Sequence, residues 1–271
     1  MRVAALQMVS TQDVAANLRQ ARTLMEQAAQ AGAELVVLPE YFCLMGQHDA
    51  DKLSIAEPFG SGPIQQWVAD AAREWGLWVV AGTLPLIAPQ ADRVYNSSLA
   101  YDPQGDCVAR YDKIHLFRFD NGAESYDESR VLSRGGQPTQ FALPARDGHL
   151  WHIGLSVCYD LRFAELYRGY AATGAELLLV PSAFTYTTGQ AHWEVLLRAR
   201  AIENLSYVVA AAQGGDHPNG RRTWGQSMLV DPWGQVLAQQ AQGVGTVCAE
   251  LDMSTLARCR AQLPALQHRV L

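Results

Sequence analysis

The chain lacks the marks of a membrane, nucleic-acid-binding or disulfide-built protein. No stretch approaches the roughly 18 consecutive apolar residues of a membrane span. No run of lysine and arginine forms a polybasic arm, and the net charge of -6 offers nothing to phosphate backbones or anionic lipid. Cysteine is sparse and scattered. Cys43, Cys107, Cys158, Cys248 and Cys259 are odd in number, and no two have metal-ligand spacing. That pattern fits a reducing compartment better than a disulfide framework. The histidines His115, His149, His152, His192 and His217 show no ligand spacing with an acid between them, so no metal site is expected. The apolar part of the opening MRVAALQMVSTQD is too short for a signal peptide. What is left is the expectation of a cytoplasmic protein acting on a small molecule, with no nucleic-acid or membrane partner and no cofactor.

What the chain does have is apolar content. Of its 271 residues 49% are hydrophobic, enough for a large core in one domain or for two small domains. Short continuous apolar runs alternate with helical periodicity, the pattern of strands covered by helices. Strands are predicted at 3–8, 34–38, 77–84, 94–101, 107–111, 139–143, 151–157, 176–180, 207–212, 224–230, 235–238 and 244–250. Helices are predicted after the cap Asp13 and at 65–74, 161–173, 190–205 and 251–259. The apolar side of the helix at 190–205 is expected to be Trp193, Leu196, Leu197 and Ile202. From 112 to 136 the periodicity vanishes, but the aromatic residues there argue against disorder.

One pattern occurs twice. GAELVVLPEYF begins at residue 32 and GAELLLVPSAF at residue 174. Each follows a helix and reads as a strand ending in proline. Two similar halves would lay their strand ends against a common crevice. Glu40 stands just past the first repeat strand, and Ser182 takes its place in the second, so the likeness breaks at this carboxylate.

The stretch WHIGLSVCYDLRF, residues 151–163, runs from an apolar strand into a helical pattern with Cys158 at the junction. A junction of that kind suits a covalent nucleophile. A free cysteine is as readily a small buried hydrophobe, and the stretch alone leaves both open. A thiol needs a base to attack a carbonyl, and the oxyanion formed needs a cation or hydrogen-bond donors. Glu40 is a candidate base and Lys113, at the start of the irregular segment, a candidate cation. Glu128 lies on the same segment and could hold the lysine. As bare residues, Lys113 and Glu128 read equally as surface charges.

The three stretches LPEYF, YDKIHLF and SVCYDLRF resemble the signature segments of the nitrilase-related carbon–nitrogen hydrolases, in the right order and across nearly the whole chain. The resemblance implies that Glu40 is the general base, Lys113 the transition-state stabiliser, Cys158 the acylated nucleophile and Glu128 the assisting carboxylate. It implies a four-layer αββα sandwich with pseudo-two-fold halves, one domain over 1–271, and a homodimer or higher homo-oligomer onto which the tail at 261–271 could pack. Within the family, the segment 184–203 and SMLVDPWG look most like the amidases of deaminated glutathione, and less closely like omega-amidases acting on 2-oxoglutaramate. Gln226 and Ala164 depart from that branch, where histidine and proline are expected. The substrate pocket is then assigned to Tyr159, whose N–H would help hold the oxyanion, and to Arg162, Phe184, Thr185, Tyr186 and Thr187, with Thr188 on the same rim. Arg118, Arg130 and Arg221 are other carboxylate-binding candidates. Substitution of Lys113 is expected to cost activity and little stability.

Overall fold

A computed structural model of the chain describes residues 1–122 and 124–270. One sheet follows the path Gly245–Glu250, Arg2–Gln7, Leu35–Val37, Trp78–Val80, Val94–Tyr101, Leu84–Ile87. Cys107–Asp112 and Leu132–Ser133 also pair with Val94–Tyr101. The second sheet runs Gln140–Pro144, Leu150–Leu155, Leu177–Leu179, Tyr207–Ala210, Ser227–Val230, Val236–Gln240. Both sheets have one plan: an antiparallel edge strand, three parallel strands, then antiparallel strands. Leu35–Val37 and Leu177–Leu179 occupy the same place in the two, so the repeat in the sequence is a repeat in space.

Strand alternation sorts the core into layers. Val3, Ala5, Leu35 and Val37 face Ile153, Leu155, Leu177 and Leu179 between the sheets. Ala4, Leu6, Val36 and Leu38 turn the other way, onto the helices Val14–Gln30 and Pro63–Trp75. Leu178 and Val208 meet Tyr167 and Tyr170 of the helix Ala164–Ala172, and Trp193 and Leu197 of the helix Tyr186–Asn204. The order is helix, sheet, sheet, helix. Asp13 caps the first helix by accepting the Ala16 N–H, worth about 1 kcal/mol. Gly76 closes the helix at Pro63–Trp75 in the left-handed conformation.

The structure departs from the expected elements where glycines bend the chain. The run at 77–84 is two strands, because the backbone at Gly82 passes so close to Pro39 that a Cβ there would lie 2.0 Å from its carbonyl oxygen. The run at 224–230 is also two, split at Gly225 and Gln226, which both have positive φ. The segment at 112–136 contains a hairpin, Arg118–Asp120 with Ser125–Asp127, then a 3-10 turn at Glu128–Arg130. A short helix, Asp51–Ser54, was not foreseen. On the helix Tyr186–Asn204, Ile202 is 46% exposed rather than buried. The last helix, Met253–Gln262, takes in the start of the tail expected at 261–271, and Leu271 lies outside the described residues. No helix among the described residues is long and apolar enough to cross a membrane.

Candidate active site

The chain ends of several strands converge on one buried charge cluster. Glu40 follows Leu35–Val37 and is 1% exposed. Lys113 follows Cys107–Asp112 and is equally buried. Its Nζ donates to Glu40 Oε1 at 2.9 Å and to Glu128 Oε1 at 2.8 Å. Glu128 also accepts from the Tyr41 hydroxyl at 2.9 Å and, through Oε2, from the Phe117 N–H at 2.7 Å. Glu40 accepts further from Asn96 Nδ2 and from the Ala183 N–H, both at 2.9 Å. Each donor offsets part of the cost of burying a carboxylate, which would otherwise be several kcal/mol. Burial alone would lower the pKa of Lys113, but Glu128 and Glu40 overcome it and the ammonium is held well above its usual range. Burial pushes Glu128 up, and Lys113 with its other donors outweighs that and lowers it. The cluster is therefore one ammonium between carboxylates.

Cys158 opens the 3-10 turn Cys158–Arg162 with φ +50, a left-handed conformation that costs a non-glycine residue about 1–3 kcal/mol. Its N–H donates to the Pro181 carbonyl at 2.9 Å. Asp160 ties this turn to the chain on either side of Lys113. Its buried carboxylate accepts from the Val157 N–H at 2.8 Å, the Tyr111 hydroxyl at 2.7 Å, and the His115 N–H and Nδ1 at 3.0 and 2.7 Å. The Cys158 thiol is pushed well above its usual range by burial first and by Glu40 next, while Lys113 pulls it back. At neutral pH it is a thiol that needs a base at the moment of attack.

Beside Cys158 lies a small cavity. Tyr159, Arg162, Phe184 and Thr185 line it, with Phe117 and Thr188. Tyr186 and Thr187 do not. They begin the helix Tyr186–Asn204, which starts four residues before the expected 190, and turn away. Tyr186 packs on Trp224 and under Arg222, and the Thr187 hydroxyl donates to Glu124. The Arg162 guanidinium lies over the rings of Phe184 and Tyr159, at 5.4 and 5.7 Å, and meets His192 Nδ1 at 3.2 Å. Of the other arginines, Arg118 and Arg130 are exposed, and Arg221 lies over Tyr126. The Tyr159 N–H has no acceptor among the described residues, as an oxyanion donor requires. His115 stacks on Phe163 and pairs with Asp160, and His192 touches Arg162. Among the described residues no cluster of His, Cys, Asp and Glu could hold a metal ion.

Sequence reasoning missed Asn96, Tyr41, Asp160 and the Ala183 N–H. Asn96 left one trace, as the first of three polar residues inside the strand Val94–Tyr101. Of the two departures noted in the sequence, Gln226 sits at φ +59 with its carbonyl accepting the Trp193 indole N–H at 2.8 Å, and Ala164 is the first residue of a helix. Neither enters the charge cluster.

This architecture is that of a hydrolase, and the chain belongs to the carbon–nitrogen hydrolase family, which it matches over residues 2–261. A deaminated glutathione amidase from Yersinia enterocolitica is 41% identical over 98% of this chain and 92% of its own. The crystal structure of the Caenorhabditis elegans NitFhit protein superposes with a TM-score of 0.90 at 38% identity, covering 99% of this chain. This chain spans 65% of that one. An amidase from Nesterenkonia sp. AN1, solved with acrylamide added at its active site cysteine, is 27% identical with a TM-score of 0.78, over 97% of this chain and 98% of its own. The fold implied by the motifs is the fold found.

Proposed function

We propose that the protein is an amidase that hydrolyses deaminated glutathione to 2-oxoglutarate and cysteinylglycine through an acyl-thioester on Cys158. The observation that carries the reading is the buried Lys113 ammonium held between Glu40 and Glu128, beside a strained cysteine that opens onto a cavity. Glu40 takes the thiol proton as Cys158 attacks the amide carbon. Lys113 and the Tyr159 N–H hold the developing oxyanion, a preorganised pair in a dry site. Glu40 returns the proton to the departing nitrogen, and then activates water against the thioester. Glu128 fixes Lys113 in place. Arg162, the one arginine on the cavity wall, receives the substrate carboxylate, and Phe184 and Thr185 flank it.

The name of the Yersinia enterocolitica relative supports the choice of substrate. A cytoplasmic setting is supported by five cysteines, all of them free. A homo-oligomer is supported by Val195, Ile202 and Trp233, apolar and 68%, 46% and 57% exposed. The test is product release against deaminated glutathione, 2-oxoglutaramate, an aliphatic amide and N-carbamoyl amino acids. Strong preference for the first is expected. Activity on 2-oxoglutaramate alone would move the assignment to an omega-amidase and leave the thiol chemistry in place. Activity on none, with Cys158 inert to electrophiles, would overturn it.

A further inference from the structure

Of the two oxygens of Glu40, one is crowded and the other is open. Oε1 accepts from Lys113 Nζ and from Asn96 Nδ2, each at 2.9 Å. Among the described residues Oε2 accepts from the Ala183 N–H alone, also at 2.9 Å. A carboxylate oxygen has about two lone-pair sites. Oε1 therefore has none to spare for a proton, and Oε2 has one. Oε2 is also the oxygen that shares a donor with the thiol. The Ala183 N–H that binds it favours the Cys158 thiolate too, and Ala183 and Cys158 line the same cavity.

Asn96 is placed to keep this asymmetry. It is 3% exposed in the strand Val94–Tyr101. Its amide holds Glu40, and its carbonyl accepts the Lys113 N–H at 3.0 Å. One residue thus sets the position of the carboxylate by its side chain and of the lysine by its backbone. Its neighbour Ser97 repeats the grip one step along, donating to Asp112 at 2.5 Å. An apolar residue in place of Asn96 would leave the strand pairing intact and free a lone pair on Oε1.

We infer that Asn96 is a positioning residue that saturates Glu40 Oε1, so that every proton in the reaction passes through Glu40 Oε2. The inference rests on the reading of Glu40 as the base. The thiol proton moves from Sγ to Oε2 as the S–C bond forms and the carbonyl π pair moves onto oxygen. As the C–N bond breaks, that proton passes from Oε2 to the departing nitrogen and the carbonyl re-forms. Water then gives a proton to Oε2 as its oxygen bonds to the thioester carbon. When the C–S bond breaks, the proton returns to sulfur, and the net change is amide plus water to acid plus amine.

The experiment is the pH profile of kcat in two variants. Asn96→Leu keeps the volume and removes the donor. Its kcat should fall roughly 10- to 100-fold with KM little changed, the scale of one hydrogen bond to a charged group. In Asn96→Asp the new carboxyl donates to Oε1 only when protonated. Its deficit against wild type should shrink as pH falls, whereas that of Asn96→Leu should not. Deficits that are the same at every pH would overturn the inference and leave Asn96 a packing residue. If Asn96→Leu does not fold, the slope of Asn96→Asp decides alone. A Glu40→Gln variant with wild-type kcat would sink the reading of Glu40 as the base, whatever the Asn96 variants do.

Discussion

Lys113 and Glu40 are 73 residues apart in the chain and 2.9 Å apart in space, with neither side chain more than 1% exposed. That burial revises the expectation that Lys113 could be removed at little cost to stability. Lys113→Ala leaves two buried carboxylates without their cation, and breaking a buried pair costs about 3–5 kcal/mol. For a chain of this size the melting temperature should fall by roughly 6–20 °C. Adding Glu40→Gln and Glu128→Gln to Lys113→Ala should restore much of that loss and none of the activity. Calorimetry alongside turnover checks both, and an unchanged melting temperature in the single variant would contradict the argument.

The same cluster makes an unusual prediction for the thiol. Burial and Glu40 both raise the Cys158 pKa, and Lys113 lowers it. Removing the Glu40 charge therefore takes away a raising influence. In Glu40→Gln the pH midpoint for alkylation by iodoacetamide should move down, so more thiolate is present at neutral pH. Amide turnover in the same variant should collapse, since the proton acceptor is gone. Faster alkylation with slower catalysis would separate the electrostatic effect of Glu40 from its chemical one. A midpoint that moves up would show that Glu40 does not act on Cys158 as described.

How far the sequence reached is set by the range of its signals. Glu40, Lys113 and Cys158 were legible because each stands in its own short motif at a strand end. Asn96 was not, because one amide in a strand says nothing of a carboxylate brought to it from another strand. Tyr41 and the Ala183 N–H are likewise seen only once the strand ends meet. The repeat at 32 and 174 foretold the two matching sheets, since strand–proline syntax survives in local sequence. The start of the helix at Tyr186 was hidden by Thr187, Thr188 and Gly189, all poor helix formers. Gly189 is required there by packing, for a Cβ would lie 2.2 Å from Trp224 Cβ. A tertiary demand thus masked a local signal, and moved Tyr186 and Thr187 off the cavity wall.

Ala164 offers a gain in stability. It opens the helix Ala164–Ala172, and the residue before it, Phe163, has an extended backbone at φ -106 and ψ 89 with no side-chain cap. The first N–H groups of a helix have no intrahelical acceptor, and proline is well suited to that position. The backbone at Phe163 also lies outside the α region, which a following proline disfavours. Ala164→Pro should therefore stabilise by about 0.4–1 kcal/mol, a rise of roughly 1–4 °C, mainly by restricting the unfolded chain. Activity should be unchanged. Thermal unfolding decides it, and a fall in melting temperature would mean that the turn at Cys158–Arg162 resists the ring.

His217 should set part of the acid sensitivity of the fold. It is 4% exposed, and its Nδ1–H donates to the Ser10 carbonyl at 2.8 Å, which leaves Nε2 to accept from the Thr223 hydroxyl, also at 2.8 Å. Burial lowers its pKa, the Ser10 carbonyl acts in the opposite sense, and nearby Arg221 lowers it further. The unfolded chain therefore takes up a proton at this residue before the folded one does. Its stability contribution is complete above the ordinary value of about 6.5 and is lost as pH falls below that toward the lower folded value. His217→Gln can keep one donor and one acceptor, and has no charge to gain. It should lower stability at neutral pH and flatten the decline as pH falls below about 6.5. Denaturant unfolding of both proteins across that window is the check. Parallel declines would mean that the acid sensitivity in this range does not come from His217.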